Sequence, residues 1–309
     1  MKFHDLFPHS LIGLDIQPTC VRMLQVKKSR HGWVGERIAE RRLPPEIHID
    51  GKIKNWGVLS AILIEWIDRQ RAAGMSAAIQ VPAHMVHTKR IQLPRGLSAD
   101  EIMAEIRLKV KRDLPGMTDA LSIDFSEATL NAAADRADME VIFTVCRQEY
   151  LLRYKECIET SGLRVKIIDV DAYALLRAAY LDPALSSFSE SLLFLHATPE
   201  KAALGVFHLH ELVFYQTWDF ISRQDFLQRL NSNMELCMTS APSLMFAKVR
   251  ASVHSSINMW LQQEPAWCDR IITIDPFAHL KLAKSFDLSL ASNHFLIALG
   301  LALREVPLW

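Results

Sequence analysis

The sequence lacks several features that would announce a function. It has no excess of charge of one sign, since 35 Lys and Arg balance 35 Asp and Glu. That removes a global field for nucleic acid or an anionic bilayer and leaves only local patches. Cysteine is scarce: Cys20, Cys146, Cys157, Cys237 and Cys268 are an odd number, with no CxxC pair and no zinc spacing. A disulfide framework and a structural zinc site are therefore not expected, and reduced thiols in the cytoplasm are the simple reading. Long apolar runs are missing too. Phe295 to Leu303 is too short to cross about 30 Å of hydrocarbon, and MKFHDLFPHSLIG carries Asp5 and Pro8 in place of an unbroken apolar stretch. A soluble chain is expected, with any membrane role indirect.

What is present is enough apolar material for real cores, 50% of 309 residues, and room for roughly two domains. Residues 11 to 26, LIGLDIQPTCVRMLQV, read as two strands joined by a tight turn, with Asp15 facing that turn. A third strand over Trp33 to Leu43 follows, then a helix over Val58 to Arg71 with Leu59, Ile62, Leu63, Trp66 and Ile67 at helical spacing, then a buried strand, Ala77 to Val81. This order resembles the start of the ribonuclease H-like fold on which actin-type ATPases are built.

A middle region has its own rhythm: strand (Val86 to Leu93), helix, strand (Ala120 to Thr129), strand (Met139 to Cys146), helix, strand (Arg164 to Asp169). Its first helix carries a capping box, Ser98 with Glu101, sets Ile102, Ile106 and Val110 on one face, and stops at Leu114-Pro115-Gly116. The helix Gln148 to Ser161 is expected to bury Leu151, Leu152, Tyr154 and Ile158 and to end at Gly162. Leu192 to Leu195, Ala203 to Phe207 and Leu212 to Thr217 then repeat the strand triplet, followed by helices, a strand at Ile271 to Ile274 and a helix at Asn293 to Leu303. The expectation is an α/β, actin-like and ribonuclease H-like fold of two halves with an inserted α+β subdomain, which resembles the FtsA type. Residues 1–84 with 168–188 form the first half, 85–167 the insert, and 189–309 a reduced second half.

Several segments resemble the PilM family of type IV pilus assembly proteins. GLDIQPTCVRMLQV is similar to its opening hairpin, and IQVPAHMVHTKRIQLPRGLSADEI to the start of its inserted subdomain. LPGMTDALSIDF is similar to its proline-containing loop and following strand, VIFTVCRQEYLLRYKECIETSGLRVKIIDVDAYALLRA to the segment closing the insert, and HFLIALGLALRE to its tail. The resemblance implies a cytoplasmic scaffold on the inner-membrane platform of a type IV pilus or related DNA-uptake machine. Its partner would be the N-terminal cytoplasmic tail of PilN, a single-pass membrane protein, with other platform proteins or a pilus motor ATPase as further partners and no nucleic acid. An extended tail needs a strand edge and apolar pockets rather than a catalytic residue. The residues taken for that groove are Val86, Thr88, Lys89, Arg90, Gln92, Ile106, Lys111 and Arg112.

The resemblance also implies a nucleotide site, and here the chain departs from the family. A phosphate turn needs convergent backbone N–H groups and a bare approach. This chain has bulky Gln17 and Pro18, which lacks an N–H, beside Thr19. His196 and Thr198 stand for the Asp and Gly of the second turn, and Asp275-Pro276-Phe277 stand for a Gly-rich loop. No cofactor and no ATP turnover are expected; Thr19 and Arg22 leave weak binding of ATP with Mg²⁺ as the alternative. An active actin-like ATPase and a sugar-kinase-like enzyme are the competing readings, and both need intact turns.

Other candidates have simpler explanations. His208 and His210 share a strand face but lack a third metal ligand. Asp169 and Asp171 with Asp15 are too few for a metal nuclease. Trp56, Trp66, Trp218, Trp260 and Trp267 sit in apolar patterns and read as core or interface. Arg107, Lys109, Lys111 and Arg112 near Lys89 and Arg90 form a basic patch, read either as a solvated helix face or as a contact for anionic headgroups or an acidic tail.

Overall fold

The structure is a computed structural model that describes residues 10–30, 32–49, 52–114, 120–127, 138–186, 191–199, 201–208, 211–240 and 248–304. It divides into two compact units, residues 1–81 with 158–309, and Pro82–Cys157.

The larger unit is built on two sheets with the same plan. In the first, β1 (Ser10–Ile16), β2 (Cys20–Ser29) and β3 (Gly32–Arg42) form an antiparallel meander. A small ribbon, β4 (His48–Ile49) with β5 (Lys52–Ile53), leads to helix α1 (Trp56–Arg69), whose apolar stripe buries Leu59, Leu63, Trp66 and Ile67. Strand β6 (Ser76–Val81) then pairs parallel to β1. β1 is thus a central strand, and its residues from Leu11 to Ile16 are all buried. Such a strand reads as a continuous apolar run, and the exception, Asp15, has to find its partners inside the protein.

The smaller unit begins with β7 (His87–Pro94) and α2 (Ala99–Asp113), followed by β8 (Leu121–Glu127), β9 (Asp138–Arg147) and the start of α3 (Gln148–Thr160). The sheet order is β7-β9-β8, so β7 lies at an edge. Ser98 accepts from the Glu101 N–H and Glu101 reaches back to the Ser98 N–H, so the expected capping box forms. Ile102, Ile106 and Val110 of α2 pack on Leu93, Met139, Val141, Phe143 and Val145. Pro115 and Gly116, expected to stop α2, lie outside the described residues, as do Ala128 and Thr129 of the expected strand.

Two expectations are corrected. Leu152 is 57% exposed; the buried stripe of α3 runs through Tyr154, Cys157 and Ile158, and Leu152 lies about 200° around the helix from Tyr154. The strand assigned to the close of the insert, β10 (Arg164–Val170), joins the large first sheet instead, because it pairs parallel with β6. Gly162, at φ +96°, makes the turn that brings it there.

Helices α4 (Asp171–Ala179) and α5 (Pro183–Ser186) lead to the second sheet, β11 (Ser191–Ala197), β12 (Lys201–His208) and β13 (Glu211–Asp219). The stretch after Phe220 holds α6 (Arg223–Ser240), β14 (Val249–Val253) and α7 (Ser255–Gln262), and β15 (Ile271–Thr273) follows. β14 pairs parallel with β11 and β15. The order β13-β12-β11-β14-β15 therefore repeats β3-β2-β1-β6-β10 of the first sheet, where β16 (Lys281–Leu282) is added beside β3. Trp218 and Trp267 are buried in the core of the second sheet with Trp260 packed against it, and Trp66 is buried on the inner face of α1.

The last helix, α8 (Leu296–Ala302), is buried all round. It crosses β1, β2 and β6 and is covered by α4. Glycine sets its distance on both sides: a Cβ on Gly13 would stand 1.9 Å from the Ala298 carbonyl oxygen, and one on Gly300 would stand 1.7 Å from that of Ala174. Arg177 donates to the Gly300 carbonyl at 2.7 Å and to Asp169 at 2.9 Å, and Arg304 reaches the same carboxylate at 3.0 Å. Asp169 is thus a structural anion, and Asp171 opens α4.

Gly300→Ala forces backbone apart and should cost about 3 kcal/mol or more in urea unfolding. Gly57→Ala, in the first turn of α1 where the nearest atom is 4.0 Å away, should be neutral or stabilising by up to about 1 kcal/mol.

Candidate functional site

The two hairpins that head the sheets are equivalent residue by residue. SLIGLDIQPT of β1 lies over SLLFLHATPE of β11, so Asp15 corresponds to His196, Gln17 to Thr198, and Pro18 to Pro199. The pairing agrees: Ile16 faces Val21, and Ala197 faces Ala202. Each turn is closed in the same way, by Gln17 N–H to the Cys20 carbonyl at 2.8 Å and by Thr198 N–H to that of Lys201 at 2.9 Å. Both therefore carry proline at the second turn position, where no N–H is available. Pro199 is missed by reading the second turn only for its missing Asp and Gly; laying the two strands together finds it.

In the first hairpin, side chains of the chain itself engage the carboxylate. Gln17 donates to Asp15 Oδ1 at 2.7 Å, and Gln80 from β6 donates to the same oxygen at 3.2 Å and to the Ile16 carbonyl at 3.0 Å. Arg22, opposite Asp15 on β2, stands 4.0 Å from Oδ2, which has no hydrogen-bond partner among the described residues. Burial raises the Asp15 carboxyl above its ordinary range, while Arg22 and the Gln17 hydrogen bond pull the other way. Arg22 is also bound to Glu40 at 2.6 Å and lies over the Phe295 ring. Its remaining N–H group points at His294 Nδ1, 3.5 Å away. A guanidinium only donates, so that ring nitrogen accepts.

In the second hairpin, the buried His196 donates from Nδ1 to the Ser252 carbonyl at 3.2 Å. Burial pushes this imidazole down to about 3, so it is neutral. Thr198 spends its hydroxyl on Lys201, accepting from the N–H and donating to the carbonyl. The Ala197 carbonyl receives the His254 N–H at 2.8 Å and the Asn293 side chain at 2.6 Å.

The two hairpins meet through one segment. Neighbouring residues Asn293 and His294, just before α8, bind the second turn and Arg22 of the first. Asp275 is not part of this junction: it is exposed, caps a 3-10 turn through the Phe277 N–H at 3.0 Å, and leaves Pro276 and Phe277 buried. Beside Asp15, Pro18 offers no N–H to a phosphate and the Gln17 side chain occupies one of the two carboxylate oxygens.

The residues expected to form a tail groove do not come together. Ile106 is wholly buried in the core of the smaller unit and cannot line a groove. Thr88, Arg90 and Gln92 share one sheet face, where Thr88 meets Thr144 at 3.1 Å and Arg90 meets Glu140 at 3.7 Å. Lys89 turns to the other face and binds Asp113 at 3.1 Å. Lys111 and Arg112 lie on the outer side of α2, and Val86 precedes β7. His208 is held by Ser191 at 2.7 Å, and its expected companion His210 lies outside the described residues.

The depressed His196 predicts an acid-labile fold. Below about pH 6.5 the unfolded chain takes a proton that the folded chain refuses until about pH 3, so stability falls with pH across that window. The slope is at most about 1.4 kcal/mol per pH unit from this group. The raised Asp15 acts with opposite sign, so the comparison is with His196→Asn, whose chemical-denaturation stability should fall less steeply over the same range.

Comparison with known proteins agrees with this architecture. The structure aligns with one described as a PilM-PilN type IV pilus biogenesis complex at TM-score 0.75, with 18% identity over 96% of this chain and 98% of that one. A Bacteroides thetaiotaomicron protein of actin-like ATPase fold aligns at TM-score 0.51, with 8% identity over 89% of this chain and 95% of that one. The fold is actin-like. The family described as type IV pilus assembly protein PilM matches residues 13–224, more than half of the sequence. This chain therefore belongs to the PilM family of type IV pilus assembly proteins.

Proposed function

We propose that this protein is a non-catalytic scaffold of a type IV pilus, or of a related DNA-uptake machine, working at the cytoplasmic face of the inner membrane. It captures the N-terminal tail of PilN and does not turn over ATP. The observation that carries the reading is the matched closure of the two hairpins. Proline stands in both turns, and Asn293 and His294 supply from within the chain the bridge that a nucleotide would make between them. Such a junction holds the two sheets together without a ligand.

Tail capture is supported by membership of the PilM family and by the likeness in fold to the protein of a PilM-PilN complex. Within this chain, β7 is one of the two edge strands of the smaller sheet, and the one on which we place an added extended peptide. The face pairs Thr88–Thr144 and Arg90–Glu140 hold that edge flat. Further partners, such as a pilus motor ATPase, would use other surfaces.

Titration calorimetry with Mg·ATP at millimolar concentration should show no saturable heat, and saturable binding would overturn the closed-site reading. A PilN tail peptide should bind saturably. Alternate residues of an edge strand turn their N–H outward, so of Arg90→Pro and Ile91→Pro one should abolish peptide binding while keeping the native circular dichroism. The other should unfold the smaller unit. Peptide binding untouched in both would remove β7 as the acceptor.

A further inference from the structure

The outer side of α2 has no part in the core or in the hairpin junction. Leu108 is 63% exposed at its crest, opposite the buried Ile102, Ile106 and Val110. Arg107, Lys111 and Arg112 surround it within about one and a half turns. Arg107 and Lys111 are exposed and carry no ion pair among the described residues. The Arg112 side chain is 72% exposed and makes only a 3.4 Å contact with Asp113.

The acid that should balance this end is already shared. Asp113 accepts Lys89 and Lys109, each at 3.1 Å, and these hydrogen bonds hold its carboxyl down to about 2, so it stays charged. From Glu105 onward this side of α2 and its neighbour strand carry five cations (Lys89, Arg107, Lys109, Lys111 and Arg112) against two carboxylates, Asp113 and the exposed Glu105 one turn before Leu108. The surplus is therefore positive and points outward, on a convex helix with an exposed leucine. A groove-bound acidic peptide would want pockets; a headgroup layer needs only exposed cations and an apolar residue that can enter the interface.

We propose that this face of α2 rests on anionic phospholipid headgroups, with Leu108 at the interface and Arg107, Lys111 and Arg112 on the phosphates. The choice of a bilayer rests on the reading of this protein as a partner of a membrane-anchored tail, which would hold the smaller unit near that surface. The charges then orient the protein on the membrane.

The test is co-sedimentation of the full chain with vesicles of phosphatidylcholine alone or mixed with phosphatidylglycerol. Binding should require the anionic lipid and weaken with salt. At about 1 kcal/mol per Lys or Arg, roughly fivefold each, the variant R107Q/K111Q/R112Q should partition about a hundredfold less. A control, R30Q/K52Q/K54Q, removes three exposed cations elsewhere and should bind as the parent does. Equal binding to both vesicle types, an unaffected α2 variant, or an equal loss in the control would overturn the proposal. So would failure to bind vesicles combined with α2-dependent capture of polyglutamate, which would assign the face to an acidic protein. Soluble PilN-tail binding is measured alongside, so failure of the lipid contact and failure of the scaffold reading are read separately.

Discussion

Backbone-to-backbone packing at two glycines governs the larger unit. α8 is pressed between β1 and α4 so closely that neither Gly13 nor Gly300 has room for a Cβ. A helix held that near a central strand has little room to shift, and this places the residues just before it, Asn293 to Phe295. Arg177 and Arg304, converging on Asp169, hold its C-terminal end. Buried charges placed this way are costly unless paired, and here one carboxylate serves two guanidinium groups.

From that placement follows the junction of the hairpins. In this chain Asn293 reaches one turn and His294 reaches Arg22 of the other. Arg22 supplies a fixed positive charge beside Asp15, and the neutral His196 stands where a second carboxylate would add negative charge. Proline removes one N–H from each turn, and side chains of the chain itself engage Asp15 and the Ala197 carbonyl.

Much of the fold was legible in the sequence because it is written in local chemistry. The opening hairpin, the capping box at Ser98, the left-handed turn at Gly162 and the second strand triplet all rest on residues within a turn or two of each other. The departures had physical causes as well. Leu152 is as apolar as Leu151, and only the direction of the buried face of α3 separates them. Arg164 to Asp169 follows the helix of the insert in sequence, yet the strand's partner is β6, far back in the chain. The candidate groove failed as a unit because alternate residues of β7 point to opposite faces and Ile106 belongs to the core.

The sequence by itself determined that each of the two turns has one N–H fewer to offer, since proline removes it wherever the chain goes. It determined too that α2 has an apolar stripe and a basic end. Only the tertiary structure decided what fills the place between the turns, because Arg22 and His294 are 272 residues apart and Asn293 and Ala197 are 96 apart. It also decided that Lys89 and Lys109 would share Asp113 and leave Arg107 and Lys111 without an ion pair among the described residues. Periodicity and turn chemistry act over a few residues, whereas partnership between distant side chains depends on how strands and helices stack.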